Sequence, residues 1–211
     1  MIFAILPVKN PKNAKQRMSE LLSAEDRELL ARLLYKETLS ALRDAKGIDR
    51  VVVVSNDREI VDHARHCGVM VFQEGEQVSH SVSADAACRR AMEMGATSAL
   101  LVPIDVPLVT AEDFSRLAAA ARPGLAIVPS SDGTGTNALV RTPPDIIESR
   151  FGPGSFRVHV ERAQAKGAFV EVLPLPGLMF DIDTPEDVSE LLKRAPQTHV
   201  CQFLRATCAL K

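Results

Sequence analysis

Short apolar runs alternate along the chain with segments whose apolar residues recur at helical spacing. Residues 2–6 (Ile2-Phe3-Ala4-Ile5-Leu6) are apolar throughout, the pattern of a parallel strand buried on both faces. Leu29, Leu30, Leu33 and Leu34 then follow a helical period. Ser23 stands before them as N-cap with Asp26 three residues on, and Gly47 stops the segment. Residues 51–55 are rich in β-branched residues and predict a second buried strand. A helix over 58–67 ending at Gly68, a strand over 69–73 and a helix over 82–94 ending at Gly95 come next. A strand over 99–104, a helix capped by Thr110 and Asp113 and running to about Arg122, and a strand over 125–129 complete the regular part.

The last third is less regular. A Gly-Thr-Gly turn leads into an extended stretch over 138–141, and Pro143 and Pro144 are expected to open a short helix ending near Gly152. A helix over 156–166 ends at Gly167, and strands are expected over 169–173 and 179–182. Thr184-Pro185-Glu186-Asp187 is a strong helix start: a Thr cap, Pro at the first helical position and acids in the first turn. The βαβα order predicts an α/β fold, a mostly parallel sheet with helices on both faces. One domain over 1–211 is expected, with 195–211 as a C-terminal tail. In such sheets ligands bind beyond the carboxyl ends of the strands, which directs attention there.

Composition narrows the function. The chain has 211 residues, 46% hydrophobic and 25% charged, an ordinary globular balance. A formal net charge of -2 supplies no basic field for a nucleic-acid backbone. The longest apolar runs, such as Val51-Val52-Val53-Val54, are far too short to cross a bilayer. The apolar N-terminus has no basic region before it and no small-residue cleavage site after it, and reads as a first strand rather than a signal peptide. Cys67, Cys88, Cys201 and Cys208 form no C-x-x-C pair, which fits free thiols in a reducing cytoplasm. The apolar tail over 200–210 is expected to pack on its own domain, with packing on a second copy, a homodimer, as the other arrangement.

The strand ends carry the chemistry. After the first strand, Lys9, Lys12, Lys15 and Arg17 fall close together, ahead of the first acid, Glu20. Such a loop can hold phosphates, by point charge from Lys and by a bidentate fork from Arg; its structural alternative is a solvated basic loop. Asp105 lies between Pro103 and Pro107 in a stiff turn just past the fourth strand. Asp181 and Asp183 are two apart, so in a strand they share a face. Three strand-end carboxylates suit a hard divalent cation such as magnesium, although Asp183 could equally cap the next helix and Asp105 form a turn. Gly133 to Ala138 spell G-x-G-x-x-A, but Pro143-Pro144 follow too soon for the helix that a dinucleotide fingerprint opens. A glycine turn with polar side chains near a ligand describes it better. Phe151-Gly152-Pro153-Gly154-Ser155-Phe156 is a small-residue turn before a helix, where an anion can sit or two helices simply connect. No P-loop and no esterase elbow is present. His63, His66 and Cys67 share one short helix without a matching second pair, and a solvated helix face is the expected reading.

Taken together, five segments resemble the 2-phospho-L-lactate guanylyltransferase family (CofC/FbiD type). They are Pro7-Val8-Lys9 with Ala14-Lys15-Gln16-Arg17, Asp105-Val106-Pro107-Leu108, Asp132 to Leu139, Phe151 to Phe156 with His159, and Asp181 to Asp187, in the family's order. The resemblance implies a nucleotide-diphospho-sugar transferase-like (Rossmann-like) fold. It also implies transfer of GMP from GTP to a small phosphorylated carboxylic acid in the making of coenzyme F420. The acids it admits are 2-phospho-L-lactate, phosphoenolpyruvate and 3-phospho-D-glycerate. It implies that Asp105, Asp181 and Asp183 hold Mg2+ and that Asn137, Gly152 and Ser155 contact the acid. Lys9, Lys15 and Arg17 would face the nucleotide phosphates. The chain departs from the family over 77–84, where many members carry Gly-Leu-Asn, and at Ile104, where a small residue is usual. The alternatives are a nucleotidyltransferase of the same fold acting on a molybdopterin or sugar phosphate, CTP included as the nucleotide, and a non-catalytic nucleotide-binding module.

Overall fold

The computed structural model describes residues 1–74, 79–195 and 197–208. Seven strands form one sheet: β1 (Ile2–Pro7), β2 (Arg50–Ser55), β3 (Met70–Gln73), β4 (Ser98–Leu101), β5 (Gly124–Pro129), β6 (Thr136–Thr142) and β7 (Val170–Val172). Their order is β3-β2-β1-β4-β6-β5-β7. Every pairing is parallel except those of β6, which runs antiparallel between β4 and β5. Chain order turns back between β1 and β4, the place where a doubly wound sheet opens a crevice.

Alternate residues of each strand enter opposite layers. Ala4 and Leu6 of β1, Val53 of β2 and Leu100 of β4 pack on one face, beneath α1 (Ala24–Asp44), α2 (Arg58–His66) and α4 (Ala111–Ala119). Phe3, Ile5, Val52, Val54 and Leu101 pack on the other, beneath α3 (His80–Glu93) and α5 (Ser155–Ala165). This is why β1 and β2 read as unbroken apolar runs. The expected caps are present: Ser23 with Asp26 and Thr110 with Asp113 each form a reciprocal capping box. The tail also packs on its own chain: Val200, Cys201 and Leu204 of α8 (His199–Cys208) join Leu30 and Leu34 of α1 and Leu191 of α7 (Pro185–Arg194) in a third core. Residues 209–210 of that expectation, and Gln77 and Val78 of the family departure, lie outside the described residues.

Several expectations change. β4 ends at Leu101, because Pro103 has no N–H to continue the ladder. The helix after Thr110 ends at Ala119 rather than near Arg122. No helix forms over 143–152. There the backbone is captured by buried side chains instead. Arg141 donates from Nη1 to Ile147 O at 2.6 Å, and Asp85 accepts from Ser149 N at 3.0 Å and Ser149 Oγ at 2.7 Å. Nor is 179–182 a strand: a single helical turn, α6 (Pro176–Met179), takes its start. The backbone that follows bonds elsewhere. Asn137 Nδ2 donates to Leu178 O and Met179 O, and Ile182 N donates to Asp105 O at 3.0 Å.

The Arg141 guanidinium, with a side chain only 1% exposed, makes an ion pair with Asp85 at 2.8 Å and also donates to Cys88 Sγ. Removing one partner of a buried pair strands the other charge and costs about 3–5 kcal/mol. Asp85→Ala is therefore expected to lose at least about 3 kcal/mol in urea unfolding. A loss below about 1 kcal/mol would show that water replaces the carboxylate without penalty.

Candidate active site

The loop after β1, the β4–α4 turn, the β5–β6 turn, the start of α5 and the segment before α7 converge on one cleft of about 1130 Å³. All nine residues singled out in the sequence line it: Lys9, Lys15, Arg17, Asp105, Asn137, Gly152, Ser155, Asp181 and Asp183. A second cavity of about 630 Å³, between the end of α1 and the starts of β2 and β3, contains none of them.

Lys15 organises one wall. Its Nζ donates to Asp105 Oδ2 at 3.1 Å, Asp183 Oδ1 at 2.8 Å and Ile182 O at 2.7 Å, so all three N–H groups are occupied by protein. Its backbone sits in the left-handed region at φ 52, uncommon for a side-chain-bearing residue. Burial by itself would lower the ammonium pKa, but Asp105 and Asp183 outweigh it and the net direction is up. Burial likewise pushes the Asp105 carboxyl up, and Lys15 reverses this so that it ends below the usual range. Lys9 and Arg17 differ from Lys15. Both are exposed on the cleft and form no ion pair among the described residues.

Asp181 and Asp183 face the cleft although no strand carries them. Phe180 and Ile182 are buried in the third core, and in an extended backbone that alternation turns Asp181 and Asp183 the other way. Asp183 is not the helix cap. Thr184 caps α7, and Asp187 accepts from Asp183 N, Thr184 N and Thr184 Oγ1. Asn137 Nδ2 lies 3.1 Å from Asp181 Oδ1. Burial raises the Asp181 pKa, the Asn137 hydrogen bond opposes this, and the charges of Asp105 and Asp183 push it further up. Among the described residues no three His, Cys, Asp or Glu side chains are gathered closely enough to hold a metal ion as they stand, His63, His66 and Cys67 included. The donor set nonetheless suits one. Asp105, Asp181 and Asp183 offer only oxygens, and Lys15 supplies one positive charge against their three carboxylates. His63 is not simply solvated, since Tyr35 Oη lies 3.1 Å from its Nδ1.

The opposite wall is built on hydrogen bonds around a single carboxylate. At the β5–β6 turn, Asp132 accepts from Ser130 Oγ and from Thr134 N and Oγ1, which hold its carboxyl down at about 2. A Cβ at Gly135 would come within 2.8 Å of Ser130 Oγ, so a larger residue there would push the Ser130 side chain aside. The strand β6 follows where a dinucleotide motif would need a helix. Gly154, at φ 71, opens α5 without a side-chain cap, and the buried Ser155 Oγ beside it has no hydrogen-bond partner among the described residues. His159 ties the two turns together. Its Nε2 accepts from Arg150 N at 2.8 Å, so its Nδ1 carries the proton and donates to Thr136 Oγ1 at 3.0 Å. Sequence reasoning assigned no role to His159, nor to His80, a cleft residue at the start of α3. The sequence signals were the place of His159 with the matched Phe151–Phe156 segment and that of His80 in the departure over 77–84.

Burial, aided by the charges of Arg141 and Arg162, holds the His159 imidazole down at about 4 against an ordinary 6.5. Between those values the unfolded chain binds a proton that the folded chain refuses, so stability falls as pH drops. At about 1.4 kcal/mol per pKa unit, the window is worth on the order of 3 kcal/mol. Urea unfolding at pH 7 and pH 5 should show lower stability at pH 5, with a shallower difference in His159→Gln. An identical slope in the variant would mean that His159 titrates normally in the fold.

The family model for "Guanylyl transferase CofC like" proteins matches residues 2–209. A phosphoenolpyruvate guanylyltransferase of Sphaerobacter thermophilus is 38% identical over 197 residues, spanning 92% of this chain and 93% of that protein. A 2-phospho-L-lactate guanylyltransferase of Methanothermobacter thermautotrophicus is 32% identical, spanning 96% of this chain and 89% of the relative. A 3-phospho-D-glycerate guanylyltransferase of Colwellia psychrerythraea is 33% identical, with 89% of each covered. Among solved structures, one described as a nucleotide-diphospho-sugar transferase from Desulfovibrio desulfuricans G20 superimposes with a TM-score of 0.80 at 18% identity, over 99% of this chain and 96% of that one, which is a likeness of fold. With its sheet order, its cleft and a match that runs nearly end to end, this chain belongs to the guanylyl transferase CofC-like family.

Proposed function

We propose that the chain transfers GMP from GTP to a small phosphorylated carboxylic acid, releasing pyrophosphate, as a step toward coenzyme F420. The observation that carries this reading is a single cleft in which Asp105, Asp181 and Asp183, the exposed Lys9 and Arg17 and a glycine-opened helix start face one another. The relatives' names support the acid class, since all three act on a small phosphorylated acid.

The acceptor brings its own nucleophile, an ionised phosphate oxygen, so no general base is required. That oxygen attacks the α-phosphorus of GTP, a new P–O bond forms, and the bond to pyrophosphate breaks in line. Both partners are anions, which makes the barrier chiefly electrostatic. Lys9 and Arg17, which pair with no carboxylate among the described residues, take the charge developing on pyrophosphate. Lys15 keeps Asp105 and Asp183 together. Asn137 orients Asp181, and Ser155 Oγ with the start of α5 receives the acid. Asp105, Asp181 and Asp183 would hold a magnesium ion, which when bound supplies positive charge beside the phosphates.

Mass spectrometry of products from GTP with each of the three acids is expected to show a guanylylated acid and pyrophosphate for at least one. Turnover with CTP alone would overturn the choice of guanine. Asp181→Ala should fold normally yet lose about 2–4 kcal/mol of transition-state stabilisation, roughly 30- to 1000-fold in kcat. A near wild-type rate with magnesium present would remove Asp181 from the site.

A further inference from the structure

His80 is a cleft residue that the reading above leaves unused. It opens α3 directly after its cap Ser79, whose Oγ accepts from Val82 N at 3.2 Å. Its ring meets Phe151 edge to face, with centroids 4.8 Å apart and planes at 81°. One residue on, Ser81 Oγ accepts from Phe151 N at 3.0 Å. The start of α3 is thus clamped to the loop that leads through Gly152 into Ser155. Neither His80 ring nitrogen bonds to another described residue, and the residue lines the cleft. Lys9 and Asp105 lie close enough to act on its charge.

These contacts restrict what His80 can do. Burial, with help from Lys9, holds the ring down at about 4, so it is a neutral imidazole with one N–H to give. Lys15 already engages Asp105 through Oδ2, and among the described residues the His80 ring makes no hydrogen bond, so that N–H is open to a ligand. An ionised phosphorylated acid presents only acceptors, on its phosphate and on its carboxylate. The phosphate must meet the α-phosphorus on the Asp105–Asp181–Asp183 side. The carboxylate is then left for the wall made by α3 and Phe151.

We propose that His80 is a specificity-determining residue that donates a hydrogen bond to the carboxylate of the acceptor acid. The proposal rests on the acceptor reading above and deepens it. A neutral donor reads the position of a carboxylate rather than its charge. This suits a site that must tell a phosphorylated acid from inorganic phosphate or a nucleotide, which Lys9 and Arg17 would attract alike. A hydrogen bond to a charged group accounts for roughly 10- to 100-fold in affinity.

Calorimetric titration of phosphoenolpyruvate, 2-phospho-L-lactate, 3-phospho-D-glycerate, ethyl phosphate and GTP into wild type, His80→Phe and His80→Gln tests this. Ethyl phosphate carries the ester phosphate without the carboxylate. His80→Phe, which keeps the aromatic contact, should bind the preferred acid roughly 10- to 100-fold more weakly, with ethyl phosphate and GTP within about twofold of wild type. His80→Gln, which keeps an N–H, should recover part of the loss. Equal losses for the acid and ethyl phosphate would make His80 a packing residue and overturn the proposal. So would a loss confined to GTP, or acid binding unchanged in both variants. Wild type that binds GTP but none of the three acids would overturn the acceptor reading itself, and with it the role of His80.

Discussion

The cleft depends on one ammonium group held between two carboxylates. Lys15 joins Asp105, 90 residues away, to Asp183, 168 residues away, and also holds the carbonyl of Ile182. Its side chain is only 6% exposed, where charge interactions are little screened and an unpaired partner would be costly. Without it, three carboxylates on separate stretches of chain would repel one another across the crevice. The left-handed backbone at Lys15 fits this picture, because tertiary contacts of this strength can hold a conformation that is locally unfavourable.

The two walls follow different physics. The wall built by Lys15 and the aspartates is a charged cluster whose members move each other's pKa values in opposite directions. Lys15 brings Asp105 below the usual range against its burial, while burial, with the charges of Asp105 and Asp183, pushes Asp181 up against the Asn137 hydrogen bond. The facing wall carries one carboxylate, Asp132, bound by Ser130 and Thr134, and is otherwise uncharged. Neutral His159 bridges Arg150 and Thr136, and neutral His80 stands against Phe151. Behind it the buried Arg141, with Asp85 and Ser149, holds the loop that leads to Gly152 in an irregular path. An anion that must approach another anion is met by charge on one side and by oriented, uncharged donors on the other.

Much of this was legible in the pattern of residues. The unbroken apolar runs at β1 and β2, the capping boxes at Ser23 and Thr110, and the Thr184-Pro185 start were read correctly because each is a local signal. The strand expected at 179–182 and the helix expected after Pro143 were read wrongly for a shared reason. In both places distant side chains, Asn137 in one and Arg141 with Asp85 in the other, take backbone groups that a local rule assigns to regular structure. Asp181 and Asp183 still share a side, since alternation belongs to any extended backbone whose intervening residues, Phe180 and Ile182, are buried.

By itself, the sequence determined the alternation of strands and helices, the layering of the core and the set of polar residues gathered at the strand ends. These follow from hydrophobic period and from caps that act within a few residues. Tertiary structure alone decided which partner each polar residue has. It turned Lys15 toward Asp105 and Asp183 while leaving Lys9 and Arg17 open, and it made Asn137 the support of Asp181. It also brought His80 from the start of α3 to the edge of Phe151. Charge and hydrogen bonding act through space, and distance along the chain carries no record of which groups will meet.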